Sequence, residues 1–229
     1  MPNKDPLILG IDLGGTKILS SVINPGGEML SRDHSVTPAA EGPKGVIQAI
    51  LASAERSLEG ASVGIDRVSA IGVGAPGLSD TEAGILFTSP NLPGWKDVPL
   101  RDILQEKLKK RAFLINDGNA AALGEYYFGA AKGVAHFIYV TISTGIGGGI
   151  VVDGKVLKGF KGMAGEIGHM TIADDGPPCR CGNATAPERR LAWGERGSPG
   201  RAPCRGTACS GCRTHARQRQ GSLCLEGEA

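Results

Sequence analysis

The chain has 229 residues, 41% of them hydrophobic and 21% charged, which suits one large or two small globular domains and excludes a disordered polymer. A net charge of +2 argues against nucleic acid or an acidic membrane as partner. No apolar run reaches the roughly 20 residues that cross a bilayer. The start, MPNKDPLILGIDLGGTK, lacks a signal peptide's long apolar segment, so a cytoplasmic location is expected.

In chain order, LILGIDLG and KILSSVINP read as two strands around a Gly-Gly turn, and GEMLSRDHSV as a third. PKGVIQAILASAERSLEG carries Val46, Ile50, Leu51 and Leu58 at helical spacing. VSAIGVGAPG is a buried strand ending in a Gly-Pro turn, GLSDTEAGILFTSPN a hairpin or excursion, and VPLRDILQEKLKKR an amphipathic helix. AFLINDGNAAALGEYYFGAAKG is a short strand feeding a helix. HFIYVTISTGIGGGIVVDGKVLKG is a pair of strands about a glycine-rich turn. Alternating strands and helices predict an α/β class. Strand, Gly-rich turn and strand occur at 7–24 and again at 136–153, an echo suited to holding a phosphate chain.

The composition changes near residue 184. From Ala184 to Ala229 there is no Lys, Ile, Val, Phe, Tyr, Met, Asn or Asp, and the stretch holds eight of fourteen arginines and four of six cysteines. It shows neither helical nor strand periodicity and is expected to be loop or disorder. The expected organisation is therefore 1–117 as a first α/β domain, 118–183 as part of a second, and 184–229 as an atypical tail.

Five stretches carry chemistry. In IDLGGTK, Asp12 ends a strand, and Gly14 and Gly15 expose backbone N–H groups with Thr16 and Lys17 close behind. Such N–H groups form an anion nest, and Asp12 suits Mg²⁺, directly or through water; an ordinary hairpin turn is the plain alternative. TISTGIGGG, with Thr144, Gly145 and Gly147, again suits a phosphate tail or a bulge. In INDGNAAALGE, Asn116 and Asp117 sit where a strand meets a helix. Asp117 serves as N-cap, as proton acceptor from an attacking hydroxyl, or as both. In SPNLPGW, Asn91 offers a donor and an acceptor to a polyol, or simply makes a turn. Finally, His169, Cys179 and Cys181 are zinc-ligand types at suitable spacing, three of the usual four. Glu166, three residues before His169, shares its face on a helical turn.

LGIDLGGTK, GVGAPG, NDGNAAALGE, STGIGGGIVVDG and GMAGEIGH…CRCGN, in this order, resemble the ROK family of sugar kinases and repressors over about residues 6–183, most closely its bacterial glucokinases. The resemblance implies an actin-like, hexokinase-type ATPase fold of duplicated ribonuclease-H-like domains, the second incomplete here. It implies ATP and Mg²⁺ as cofactors, a hexose as substrate, and a homodimer. Phosphates would meet Gly14–Lys17 and Thr144–Gly147, and Asp117 would be the catalytic base. Asn91, Asn116, Glu166 and His169 match sugar-binding positions, and His169 also matches a structural Zn²⁺ ligand. Amino-sugar kinases for N-acetylglucosamine or N-acetylmannosamine share these motifs. A sugar-responsive repressor would carry a DNA-binding segment before the first strand, and an inactive truncated product is a further alternative.

Departures are concentrated after Asn183. The family pattern C-x-C-G-x-x-G-C-x-E meets Ala186 at its third cysteine, while Glu188 keeps the spacing of the second sugar-binding glutamate. Cys204, Cys209 or Cys212 would then have to complete a zinc site. The coincidence of the motif break with the composition change suggests a shifted reading frame near codon 184. Translating the gene from that codon in the other two frames is expected to recover Gly-Cys-Leu-Glu and a helical continuation; finding neither refutes the shift.

Overall fold

The computed structural model describes residues 5–89, 91–142 and 145–171, together with the backbone of 222–226. The chain divides into two compact units between Ala120 and Ala121, inside a helix rather than at its first residue.

The first unit is built on a five-stranded sheet. Strands β1 (Leu7–Leu13), β2 (Lys17–Ile23) and β3 (Met29–Val36) form an antiparallel meander, and β4 (Val68–Ala75) and β7 (Arg111–Asn116) extend it, in the order β3-β2-β1-β4-β7. β4 lies parallel to β1, and β7 parallel to β4. Parallel neighbours need a long crossover, and helix α1 (Gly42–Gly60) lies within the first one. Pro43 opens α1, where a missing N–H costs nothing. Its inward face is Val46, Ile50, Ser53, Ala54, Ser57 and Leu58; Leu51, expected on this face, is only partly buried at its flank. The excursion after β4 is the two-stranded hairpin β5 (Leu78–Asp80) and β6 (Ile85–Thr88), followed by α2 (Leu100–Leu108), whose Leu100 and Leu104 are fully buried.

Leu9, Leu13, Ile18, Val22, Ile50, Ile71, Val73 and Leu104 join one core. α1 is also tied to β3 by polar contacts. Arg56 Nε and Nη2 donate to the two oxygens of Asp33 at 2.9 and 3.0 Å, and the Ser35 and Ser53 hydroxyls donate to Asp33 Oδ2 at 2.7 and 2.8 Å. Hydrogen bonds to the charged form hold the Asp33 carboxyl well below the usual carboxylate range, Arg56 being the largest cause.

The second unit contains the remainder of α3 (Asp117–Phe128), which begins in the first unit, and a four-stranded antiparallel sheet. β8 (Phe137–Ile142) and β9 (Ile146–Val152) pair as the second hairpin, β10 (Lys155–Val156) adds to β9, and β11 (Ser222–Glu226) adds to β8. Ala122, Ala131, Phe137, Tyr139 and Val151 form its core. The strand β11 differs from the tail expected to lack regular structure. Its Leu-Cys-Leu alternation is only a few residues long, too short to register as periodicity, and it pairs along the open edge of β8. Among the described residues no helix is long and apolar enough to cross a membrane.

Asp33→Asn is expected to lower the melting temperature by a few degrees at pH 7, since Arg56 is half exposed and solvent screens the pair. A carboxylate with a depressed folded-state pKa stabilises above its unfolded value and loses that contribution as pH falls below it. The difference between variant and parent should therefore shrink as the pH drops below 3.8, the ordinary aspartate value. Thermal melts at pH 7, 4 and 3 check this; a constant difference refutes the assignment.

Candidate active site

In the first unit, the parallel strands β1, β4 and β7 end side by side. Asp12 of β1 is in register with Gly74 of β4, and Gly74 with Ile115 of β7. The next residues of β7 are Asn116 and, opening α3, Asp117. Gly74 has no side chain to fill the space: a Cβ there would lie 3.8 Å from Asp117 Cα and 3.9 Å from Ile11 O. Asp12 and Asp117 thus flank a glycine at the carboxyl ends of three parallel strands, the place where open α/β sheets bind ligands.

The helix start explains why Asp117 has a carboxylate to offer. Asn116 Oδ1 accepts the Asn119 N–H at 3.1 Å, so Asn116, rather than Asp117, makes the capping bond to the third helical residue. Asp117 Oδ1 accepts the adjacent Gly118 N–H, at 2.8 Å. Desolvation raises the Asp117 pKa above the ordinary carboxylate value, against the pull of backbone hydrogen bonds. Asp12 is raised too, by desolvation first and by the negative charge of Asp117 second. Both residues are exposed, so water moderates these shifts.

The glycine turn after Asp12 is closed by Gly14 N–H donating to Lys17 O at 2.9 Å. A Cβ on Gly14 would sit 2.9 Å from the same oxygen. Thr37, which the sequence reading did not single out, anchors the turn. Its hydroxyl donates to Gly14 O at 2.8 Å and its N–H to Thr16 O at 3.0 Å. The only signal in the sequence is a hydroxyl residue just past the third strand, and nothing local says that it reaches back over twenty residues. Asn91 is exposed and packs against Gly15. Asp12, Gly14, Gly15, Thr16, Lys17, Asn91, Asn116 and Asp117 all belong to this unit.

In the second unit, the chain at 165–168 runs tightly against β9. A Cβ on Gly148 would lie 3.0 Å from Gly165 O, and one on Gly165 would lie 2.7 Å from Gly148 O. Gly148, next to the Gly147 expected in the phosphate turn, thus admits this segment. It ends in a 3-10 turn, Ile167–His169, that places His169 Nε2 3.7 Å from Glu166 Oε2, so the shared face expected of this pair is present. Gly145 and Gly147 are described; Thr144, Cys179, Cys181, Ala186 and Glu188 lie outside the described residues. Among the described residues no group of three His, Cys, Asp or Glu side chains stands ready to hold a metal.

The strand-end carboxylates and glycine turn of the first unit, and a second unit built on a hairpin sheet of its own, are those of part of an actin-like, hexokinase-type ATPase fold. Residues 8–192 match the ROK family, and the chain belongs to it. That match continues across the composition change near 184. The chain is 41% identical over 175 residues to a glucokinase of Thermotoga maritima, covering 76% of this chain and 54% of the relative. It is 48% identical over 113 residues to a xylose repressor of Bacillus subtilis, covering 49% and 29%. It superposes with a TM-score of 0.73 on a ROK family glucokinase from Streptomyces griseus solved with glucose and AMPPNP, at 36% identity over 81% of this chain and 57% of that one. The chain spans about half the length of these glucokinases.

A carboxylate held above its ordinary pKa opposes folding once ionised, so stability falls as pH rises through the folded-state value. Asp117→Asn is therefore expected to melt at a higher temperature than the parent at pH 7. Removing its charge should also bring the Asp12 titration midpoint down toward 3.8. Carbon-13 NMR of the side-chain carboxyls together with calorimetry tests both; an unmoved Asp12 and an unchanged or lower melting temperature contradict the coupling.

Proposed function

We propose that the protein is an ATP-dependent hexose kinase, forming glucose 6-phosphate from glucose, with Asp117 as general base. The observation that carries the reading is the pair Asp12 and Asp117 around Gly74, beside the amides of the Gly14–Lys17 turn. Phosphoryl transfer needs a positioned proton acceptor and fixed positive charge more than covalent chemistry. A raised pKa makes Asp117 a better acceptor. It takes the proton of the sugar 6-hydroxyl while that oxygen bonds the γ-phosphorus and the bond to the β-phosphate oxygen breaks, leaving ADP. The remaining N–H groups of the Gly14–Lys17 turn, which the Gly14 N–H itself closes, hold the phosphates, with Thr144, Gly145 and Gly147. Asp12 holds Mg²⁺, which when bound neutralises charge on the phosphate oxygens.

Asn91, Asn116, Glu166 and His169 are the proposed hexose contacts, with Glu188 a further one by spacing. For zinc, His169, Cys179 and Cys181 supply three donors of the right chemistry; a cytoplasmic homodimer completes the proposal. The identity to a xylose repressor favours a second reading, a sugar-binding regulator without turnover.

A coupled assay of ADP release with Mg·ATP, zinc and glucose separates the two. Glucose-dependent turnover that falls by about 10²–10⁴-fold in Asp117→Ala is expected. N-acetylglucosamine and N-acetylmannosamine as acceptors test the amino-sugar alternative. Sugar binding without turnover in the parent chain would support the regulator and overturn the kinase.

A further inference from the structure

Gly15 is a glycine for a different reason from its neighbour. It is absent from the glycines with positive φ, so its backbone would accept an alanine. What excludes a side chain is Asn91. A Cβ on Gly15 would lie 3.0 Å from Asn91 O, 3.3 Å from its Cγ, and closer still to its Cβ. The same turn is met from the other side by Gly77, at φ +98, where a Cβ would lie 2.8 Å from Ser89 Cα. Just beyond Asn91, the Leu92 N–H donates to Ser89 O at 3.2 Å, and Trp95 is 4% exposed. Asn91 thus reaches its place by lying on the bare backbone of the turn proposed to hold phosphate, and a side chain on Gly15 would force one of the two to shift.

We propose that Gly15 is a positioning residue, whose missing side chain seats Asn91 against the phosphate turn and so sets the placement, and hence the affinity, of the hexose. This rests on the kinase reading, which names the sugar as Asn91's ligand. The rival role for Gly15 is a phosphate-turn glycine and nothing more. The two differ in whether a methyl group disturbs the Asn91 segment and glucose as well as Mg·ATP.

The test uses the full chain with Trp193→Phe, so that Trp95 is the single indole. Gly15→Ala is expected to increase iodide quenching of Trp95 in the ligand-free protein. It should weaken glucose binding, read by Trp95 fluorescence, about tenfold, whatever the methyl group does to Mg·ATP binding at the turn itself. Asn91→Gly removes the Cβ that the new methyl would strike. In that background only the contact with the Asn91 backbone oxygen remains, so adding Gly15→Ala should change quenching much less than it does in the parent, a non-additivity that a purely phosphate-binding glycine would not produce. Weakened Mg·ATP binding with glucose affinity and quenching untouched overturns the proposal. If Gly15→Ala alone does not fold, a folded double variant supports the contact and an unfolded one overturns it. A parent chain blind to glucose counts against the kinase reading, and the quenching arm still decides whether Gly15 seats Asn91.

Discussion

The parallel register that brings Asp12 and Asp117 to either side of Gly74 is the constraint on which the candidate site of the first unit depends. Desolvation raises both carboxyl pKa values, and the charge of Asp117 raises that of Asp12 further. Asp12 is the penultimate residue of a strand whose alternate side chains, Leu7, Leu9, Ile11 and Leu13, are locked in the core. Asp117 starts a helix whose first turn is already capped by Asn116. A binding partner that supplies positive charge, or a reaction that supplies a proton, relieves the strain. A site that is costly when empty is in this sense prepared for its ligands.

Glycine does the complementary work of removing obstacles. Gly74 leaves room between the two acids, Gly15 and Gly77 let the Asn91 turn approach, and Gly148 and Gly165 let the Glu166–His169 segment lie along β9. Gly77 and Gly165 also adopt backbone angles that favour glycine, whereas at Gly15 and Gly148 something else occupies the volume of a Cβ. The abundance of glycine near apolar strands reflects close packing of backbone against backbone more than flexibility.

Much of this was legible in the sequence because the informative residues are local. Asp-x-Gly-Gly at the end of one apolar run and Asn-Asp at the end of another mark strand ends, and short-range periodicity places strands and helices correctly through β9. The repeat of strand, glycine turn and strand was visible for the same reason. Long-range pairings were not. Thr37 reaches back to the 14–17 turn, and Asp33 gathers Ser53 and Arg56 from a helix twenty residues on. The division of labour between Asn116 and Asp117 depends on where the helix begins to the residue, which spacing does not resolve. β11 escaped because a strand that short is defined by the edge it joins.

The two hairpin units differ in one respect that bears on where the proposed chemistry resides. β3-β2-β1 and β10-β9-β8 are the same antiparallel arrangement, but β1 is flanked by a parallel strand and β8 by the antiparallel β11. Parallel strands bring several carboxyl ends, and the loops leaving them, to one side of a sheet, so acidic residues far apart in sequence converge there. An antiparallel neighbour presents its amino end instead. In the first unit two parallel joins bring Asp12, Gly74 and Asn116–Asp117 together. In the second, the described sheet has no such join, and its candidate residues, Glu166 and His169, come from a 3-10 turn held on β9 by glycine contacts. The candidate base and candidate magnesium ligand therefore both fall in the first unit, because its strand directions, rather than its composition, make the convergence.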